Sequence, residues 1–181
     1  MKITKLKTYI CNCFRTNWVF VKVETDSGIH GWGEATLEYR EPTVAAAIHD
    51  LEGWLIGRDP HNIEAFRHDC YRDAYWRGGP VLMSALAGVE IALWDIKGKY
   101  YNMPIYQMLG GSCRDRVRVY GHLKPTAIAG DYPIPDMLKI TDQRLKDGFT
   151  VMKYSIIPPI KPIDNMEMVD KVVERFTAIR E

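Results

Sequence analysis

The sequence predicts an α+β domain over residues 1–111, followed over residues 112–181 by the first strand–helix units of an incomplete parallel (β/α) barrel. Three observations support this fold class. Alternating apolar and polar residues near the N-terminus indicate an antiparallel three-stranded meander. Apolar residues spaced by three and four then indicate several helices. After these, strand-like and helix-like segments alternate, as they do in parallel α/β folds.

The second part of the chain is too short to close a barrel by itself. An eight-stranded α/β barrel needs about 250 residues, and strands of a parallel sheet are normally covered on both faces. We therefore expect the chain to be the N-terminal part of a longer protein. We also expect residues 117–181 to be poorly stable alone.

Alternation along the chain places the strands of the meander. Val19, Val21 and Val23 occupy every other position of the second strand, which puts them on one face. A loop over residues 12–17 is predicted to join the first two strands, and its Arg15 is a candidate ligand contact. The strands are predicted at residues 2–11, 18–24 and 29–34.

Capping residues indicate where the helices after the sheet begin and end. Thr43 is the predicted N-cap of the first helix, which Gly57 ends. Asp59 and Pro60 open the second helix in the preferred order of cap and then proline. A short helix over residues 104–109 closes the domain.

The longest predicted helix begins at Pro80 and ends near Asn102. Its apolar stripe and its many small residues predict a central, closely packed helix. Functional residues are expected just before this helix, where Trp76 and Arg77 are candidate substrate contacts. The stripe is formed by Leu82, Leu86, Val89, Leu93 and Ile96.

Candidate reactive groups follow the strands of the second part, which are predicted at residues 116–120 and 149–155. The carboxyl ends of barrel strands carry the reacting groups in α/β barrels. Lys153 and Ser155 lie at the end of the second strand, and His122 follows the first. Lys153 could act as a general base, neutralise a substrate carboxylate, or simply reach solvent.

A second group of candidates lies in the loop over residues 36–40. Glu38 and Tyr39, together with Arg15, combine charge with hydrogen-bonding capacity. This mixture suits a polyhydroxylated anion, although exposed residues of these types are often only solvated. We expect these loops to shape a binding site.

Composition and motifs exclude several function classes. The net charge of +1, without any Lys/Arg run, argues against nucleic-acid binding. No apolar run is long enough to span a membrane and no signal peptide is evident, so a cytoplasmic location is expected. The four cysteines lack zinc-site spacing and are expected to be reduced. Glycine-rich phosphate loops, nucleophile elbows and carboxylate clusters for magnesium are missing, so these residues contain no complete catalytic site.

Several motifs in one order give the chain a specific resemblance to a known family. It resembles the mandelate racemase/muconate lactonizing branch of the enolase superfamily, and within it the acid-sugar dehydratases of the galactonate and mannonate kind. The motifs are GWGEA (31–35), LIGRDP (55–60), YRDAYWRGGP (71–80), ALWDIKGK (92–99), MPIYQMLGG (103–111) and VYGH (119–122). The resemblance implies a capping domain at residues 1–111 and a modified (β/α) barrel that begins near residue 117.

The resemblance also implies an activity. In such enzymes a base removes the proton next to a sugar-acid carboxylate, and the neighbouring hydroxyl leaves as water. The implied cofactor is Mg²⁺, whose carboxylate ligands would lie beyond Glu181, so no metal ligand is assigned in this chain. The implied partners are a small sugar-acid substrate and further copies of the enzyme, with neither nucleic acid nor membrane. Two alternatives remain: a racemase or epimerase of the same superfamily, and an inactive structural or interaction fragment.

Three candidate residues can be placed against the family pattern. Lys153 matches a lysine on the second barrel strand that is catalytic or faces the substrate carboxylate in many members. The usual pattern there is Lys-X-Lys or Lys-X-Asn, whereas this chain has Lys153-Tyr154-Ser155. His122 matches a substrate-contacting histidine of the mannonate type, and Glu38 falls where that type has an asparagine.

Overall fold

The computed structural model describes residues 1–13, 16–72, 75–122, 133–154, 157 and 161–181. The chain divides into two compact units, Met1–Cys113 and Arg114–Glu181. No helix within the described ranges is long and apolar enough to cross a membrane.

The first unit is built on an antiparallel sheet in the order β1-β2-β3, as the meander prediction required. Its core face carries Val19, Val21 and Val23, all fully buried. The predicted loop over residues 12–17 is wrong, because the ladder continues to the pairs Asn12–Asn17 and Cys13–Thr16. Residues 14 and 15 lie outside the described residues, and with them the candidate Arg15. The strands span Ile3–Cys13 (β1), Thr16–Thr25 (β2) and His30–Glu34 (β3).

Among the described residues of this unit, four helices accompany the long central helix. The structure places them at Glu41–Asp50 (α1), Glu52–Leu55 (α2), Ile63–Arg72 (α3) and Ile105–Met108 (α5), with α4 at Pro80–Tyr101. The predicted N-cap Thr43 lies inside α1, which begins two residues earlier with Pro42 in its first turn. Asp59 closes a turn instead of opening a helix, since its carboxylate accepts the backbone N–H of His61 at 3.0 Å. These two predicted helix starts are therefore wrong.

The predicted bounds of α4 are confirmed. Gly79 precedes Pro80 at its start, and Asn102 ends it in the left-handed conformation at φ 50°. Most of the predicted stripe is buried, but Leu82 is 45% exposed. The buried face of α4 includes the small residues Ala85, Gly88 and Ala92, which lie in the core. Small side chains let α4 approach the sheet closely.

The contact between α4 and β3 depends on glycine at both ends of the GWG motif. A Cβ added at Gly33 would lie 1.9 Å from the carbonyl oxygen of Gly88, and one added at Gly31 would lie 2.0 Å from that of Ala92. Both obstacles are backbone atoms and cannot rotate away. The glycines of this motif therefore serve helix-to-sheet packing.

In the part of the second unit that the structure describes there are two short parallel strands and two helices. The strands are Gly121–His122 (β4) and Met152–Lys153 (β5), and the helices are Ile134–Lys146 (α6) and Met166–Arg180 (α7). Residues 116–120 do not form the predicted strand, and the second predicted strand is reduced to Met152–Lys153. A strand exists only where a neighbour supplies hydrogen bonds, and pairing is limited here to two residues. The apolar residues Val169, Val173 and Phe176 of α7 are exposed.

Candidate functional site

Lys153 and His122 lie side by side on the parallel strands. They are Cα partners in the ladder between β4 and β5, and both are exposed. The two residues were predicted from consecutive strand ends, and the structure brings them together. The arrangement offers an ammonium group and an imidazole at one strand edge, a pair that can bind an anion or transfer a proton.

Tyr120 is a third member of this cluster that sequence reasoning missed. The Lys153 Nζ atom lies 3.5 Å from the Tyr120 hydroxyl oxygen and 5.4 Å from the centroid of its ring. The available signal was its position two residues before His122, which places both on one side of an extended chain. A tyrosine there can donate a hydrogen bond and limit the orientations of the lysine.

The residue after Lys153 points to the other side of the strand. The Tyr154 hydroxyl lies 3.0 Å from Thr141 Oγ1, which ties the end of β5 to α6. Arg144 of α6 donates from Nε to the carbonyl oxygen of His122 at 3.3 Å. Both strand ends are thereby held by one helix. Ser155, the remaining candidate of this unit, lies outside the described residues.

In the first unit, Glu38 and Tyr39 lie in the segment between β3 and α1, and both are exposed. Tyr39 has a left-handed backbone at φ 62°, which is unfavourable for a residue with a bulky side chain. Its N–H donates to the Glu41 carboxylate at 3.3 Å. The hydrogen bond to Glu41 therefore stabilises the conformation of the segment between β3 and α1.

Glu41 is the acceptor for a cluster of donors and was not among the predicted residues. It is only 6% exposed. Its Oε1 atom accepts the Thr16 hydroxyl and the backbone N–H of Asn17, the latter at 3.0 Å. Hydrogen bonds, that of Thr16 first, lower the pKa of Glu41 from its ordinary value of 4.5 to about 2. The carboxylate therefore stays charged throughout the neutral range.

This lowered pKa predicts acid sensitivity. Because the folded-state pKa of Glu41 lies below its unfolded value, its contribution to stability is complete above pH 4.5 and is lost as the pH falls toward 2. We expect Glu41→Gln to reduce the pH dependence of the free energy of unfolding in this range. Part of the dependence should remain, since Glu24, bound to Lys7 and Lys22, also has a pKa lowered to about 2. Urea unfolding at several pH values tests this, and an unchanged pH slope in Glu41→Gln would contradict it.

Trp76 and Arg77 line a cavity of about 340 Å³ within the first unit. Trp76 is 80% exposed, and Arg77 donates to the backbone carbonyl of Arg72 at 2.7 Å. Neither Glu38 nor Tyr39 is among the described residues that line this cavity. Most of its wall is apolar, with Leu51, Trp54, Leu82, Met83 and Leu86 among the lining residues. Sugar-acid binding by Trp76 and Arg77 stays a prediction.

Cys70 also lines this cavity, and its surroundings predict low reactivity. All four cysteines are free, as expected from the sequence. Burial raises the pKa of the Cys70 thiol to about 12, whereas Cys11 and Cys113 are exposed. We expect a thiol reagent at neutral pH to modify Cys11 and Cys113 quickly and Cys70 only after unfolding. Cys70→Ser should leave the fast phase unchanged, and a smaller fast phase in this variant would show that the prediction is wrong.

Comparison with known proteins adds to this geometry. Residues 4–110 match the model of the mandelate racemase / muconate lactonizing enzyme N-terminal domain, which is more than half of the chain. The chain belongs to the mandelate racemase / muconate lactonizing enzyme family. The three-stranded sheet and its helices are the N-terminal capping domain of this family, so the predicted fold class is confirmed.

Individual members of the family resemble the whole chain. A D-galactonate dehydratase from Xanthomonas oryzae pv. oryzae is 44% identical over 181 residues, which are 100% of this chain and 45% of that protein. A crystal structure from Mesorhizobium loti matches with a TM-score of 0.90 at 31% identity, covering 99% of this chain and 49% of the other. An enolase from Agrobacterium radiobacter, solved with bound Na and L-malate, matches at a TM-score of 0.82 and 27% identity, covering 99% and 45%. The chain thus spans about half the length of these relatives.

The resemblance implies a magnesium ion, and the described residues can be examined for groups that could bind it. Within the described ranges, no group of three or more His, Cys, Asp or Glu residues lies together in a way that could hold a metal ion. The strand edge of the second unit offers Lys153 and His122, and an ammonium group cannot coordinate a cation. The described residues therefore do not fit a magnesium site. What they offer at this edge is recognition of an anion and transfer of a proton.

Proposed function

We propose that this chain supplies the capping domain and the first strands of a dehydratase that acts on a sugar acid. The observation that carries the proposal is the 44% identity over 181 residues to a protein named D-galactonate dehydratase. The matched region includes the strands that hold His122 and Lys153. The activity belongs to the longer protein in which we place the chain, and a sugar acid of the galactonate type is the first substrate to test.

In this proposal, Lys153 faces the carboxylate end of the substrate. Its ammonium group lies on the side of β5 away from α6, since Tyr154 occupies the α6 side. Tyr120 and His122 lie beside it and can donate hydrogen bonds to substrate oxygens. The neutral form of Lys153 or of His122 can accept a proton from carbon. The ammonium or imidazolium so formed can then give that proton to a hydroxyl group of the sugar, which leaves as water. We assign no metal ligand and derive no metal-dependent step from this chain.

Proton NMR in D₂O distinguishes dehydration from the related chemistries. The complete protein should convert a sugar acid into a 2-keto-3-deoxy acid, with loss of the signal from the proton next to the carboxylate. Deuterium incorporation without loss of water would instead indicate a racemase or epimerase. If no sugar acid in a panel of epimers changes at all, the proposed function is wrong.

A further inference from the structure

One buried carboxylate joins two separate segments of the capping domain. The Oε1 atom of Glu41 accepts the Thr16 hydroxyl and the Asn17 N–H at the start of β2. The same atom accepts the Tyr39 N–H in the segment between β3 and α1. Thr16, Asn17 and Tyr39 are 25, 24 and 2 residues from Glu41 in the chain. Because Glu41 is only 6% exposed, water cannot readily replace it as the acceptor.

A second set of hydrogen bonds fixes the beginning of the same segment. Ala35 donates its N–H to the Val19 carbonyl at 2.8 Å, and Thr36 Oγ1 accepts the Val19 N–H at 3.1 Å. These bonds hold the beginning of the segment on β2. The far end is held by the bond from the Tyr39 N–H to Glu41 and by the Arg40 N–H, which donates to the Leu37 carbonyl at 3.0 Å. The left-handed conformation of Tyr39 is less stable than right-handed alternatives. Without the Glu41 carboxylate, this end of the segment has lower-energy conformations to adopt.

We propose that Glu41 is a positioning residue for substrate selection, which holds Tyr39 and its neighbour Glu38 in one arrangement against the start of β2. This inference rests on the proposed function and on the sequence prediction that Glu38 and Tyr39 contact the sugar acid. Epimeric sugar acids differ only in the direction of a hydroxyl group. An enzyme can discriminate between such epimers only if the side chains that contact this hydroxyl group are held in a fixed position. The Glu41 side chain itself lies in the domain interior and touches no substrate.

The test compares two epimeric sugar acids with the complete enzyme. Glu41→Leu keeps the approximate size of the side chain and removes the acceptor. It should lower the ratio of kcat/KM between the preferred substrate and its epimer by roughly ten-fold or more, since the donors lose their fixed partner. Glu41→Gln keeps one acceptor oxygen and should retain part of the discrimination. A merely structural role would lower kcat/KM for both substrates alike, and an unchanged ratio would overturn the proposal.

Milder variants and a matched control keep the test independent of folding. Thr16→Val should reduce discrimination, and Thr16→Ser, which keeps the hydroxyl group, should restore it. Glu64 also lies in the first turn of its helix, but its side chain is 75% exposed, so Glu64→Leu should leave the ratio unchanged. Loss of discrimination in Glu64→Leu, or none in Thr16→Val, would contradict the assignment to Glu41.

Hydrogen exchange separates this inference from the proposed function. The backbone amides of Asn17 and Tyr39 should exchange faster with solvent in Glu41→Leu than in the wild-type protein, whatever the substrate is. Unchanged exchange at both amides would overturn the role of Glu41. A wild-type enzyme that dehydrates no sugar acid would refute the proposed function, whereas an active enzyme with an unchanged substrate ratio would refute only the positioning role.

Discussion

Replacing Lys153 by alanine should reduce kcat/KM of the complete dehydratase by about 10²–10⁴-fold, the range that a positioned proton-transfer group contributes. The expectation rests on its place beside His122 at the strand edge and on its contact with Tyr120. Steady-state kinetics with a sugar acid as substrate measure the effect. If Lys153 only binds the carboxylate, the loss should lie mainly in KM, and if it accepts the proton the loss should lie mainly in kcat.

Two further variants make this experiment decisive. Lys153→Arg keeps the positive charge but cannot accept a proton at neutral pH, so it should restore activity only if the role is carboxylate binding. Lys171 lies on α7 and pairs with Glu167 at 3.3 Å, and Lys171→Ala should be as active as the wild-type enzyme. Full activity of Lys153→Ala would show that Lys153 is an ordinary solvent-exposed lysine.

Gly33→Ala should destabilise the protein by about 3 kcal/mol, the upper end of the usual cost of overpacking and a large share of the roughly 5–15 kcal/mol that stabilises a typical domain. The added methyl group would lie 1.9 Å from the backbone oxygen of Gly88. Either α4 must move away from β3 or the strand must shift, and each change opens the core around Val21 and Val89. Urea unfolding followed by circular dichroism measures the loss.

Gly53 provides the matched control for this substitution. A Cβ added there meets nothing within 4 Å, and Gly53 lies inside the short helix α2. Gly53→Ala should therefore change stability by no more than about 1 kcal/mol, with stabilisation expected. If Gly33→Ala were as stable as Gly53→Ala, the close contact between α4 and β3 would be wrong.

Elements with strong local signals could be predicted from the sequence. The ends of α4 are marked by Pro80 and Asn102, and both residues act in the structure as their types suggest. The helix start predicted at Thr43 is wrong because α1 begins two residues earlier, with Pro42 in its first turn. The start predicted at Asp59 is wrong because residues that favour a cap also favour turns. Asp59 forms such a turn with His61.

Features that depend on distant partners were less predictable. Residues 116–120 have a strand-like pattern but no strand, since a strand needs a neighbour as well as a suitable sequence. The adjacency of Lys153 and His122 could be predicted, because consecutive parallel strands end at one edge. The role of Glu41 could not, because Thr16 and Asn17 reach it only through the folded sheet.

We propose above all that the chain supplies the capping domain and the lysine-bearing strand of a sugar-acid dehydratase. The most direct test is a steady-state assay for 2-keto-3-deoxy acid with D-galactonate and its epimers as substrates. We predict saturable product formation by the complete protein and none by residues 1–181 alone, whose described part holds no metal-binding cluster. Failure of the complete protein to dehydrate any of these acids, or turnover by residues 1–181 alone, would contradict the claim.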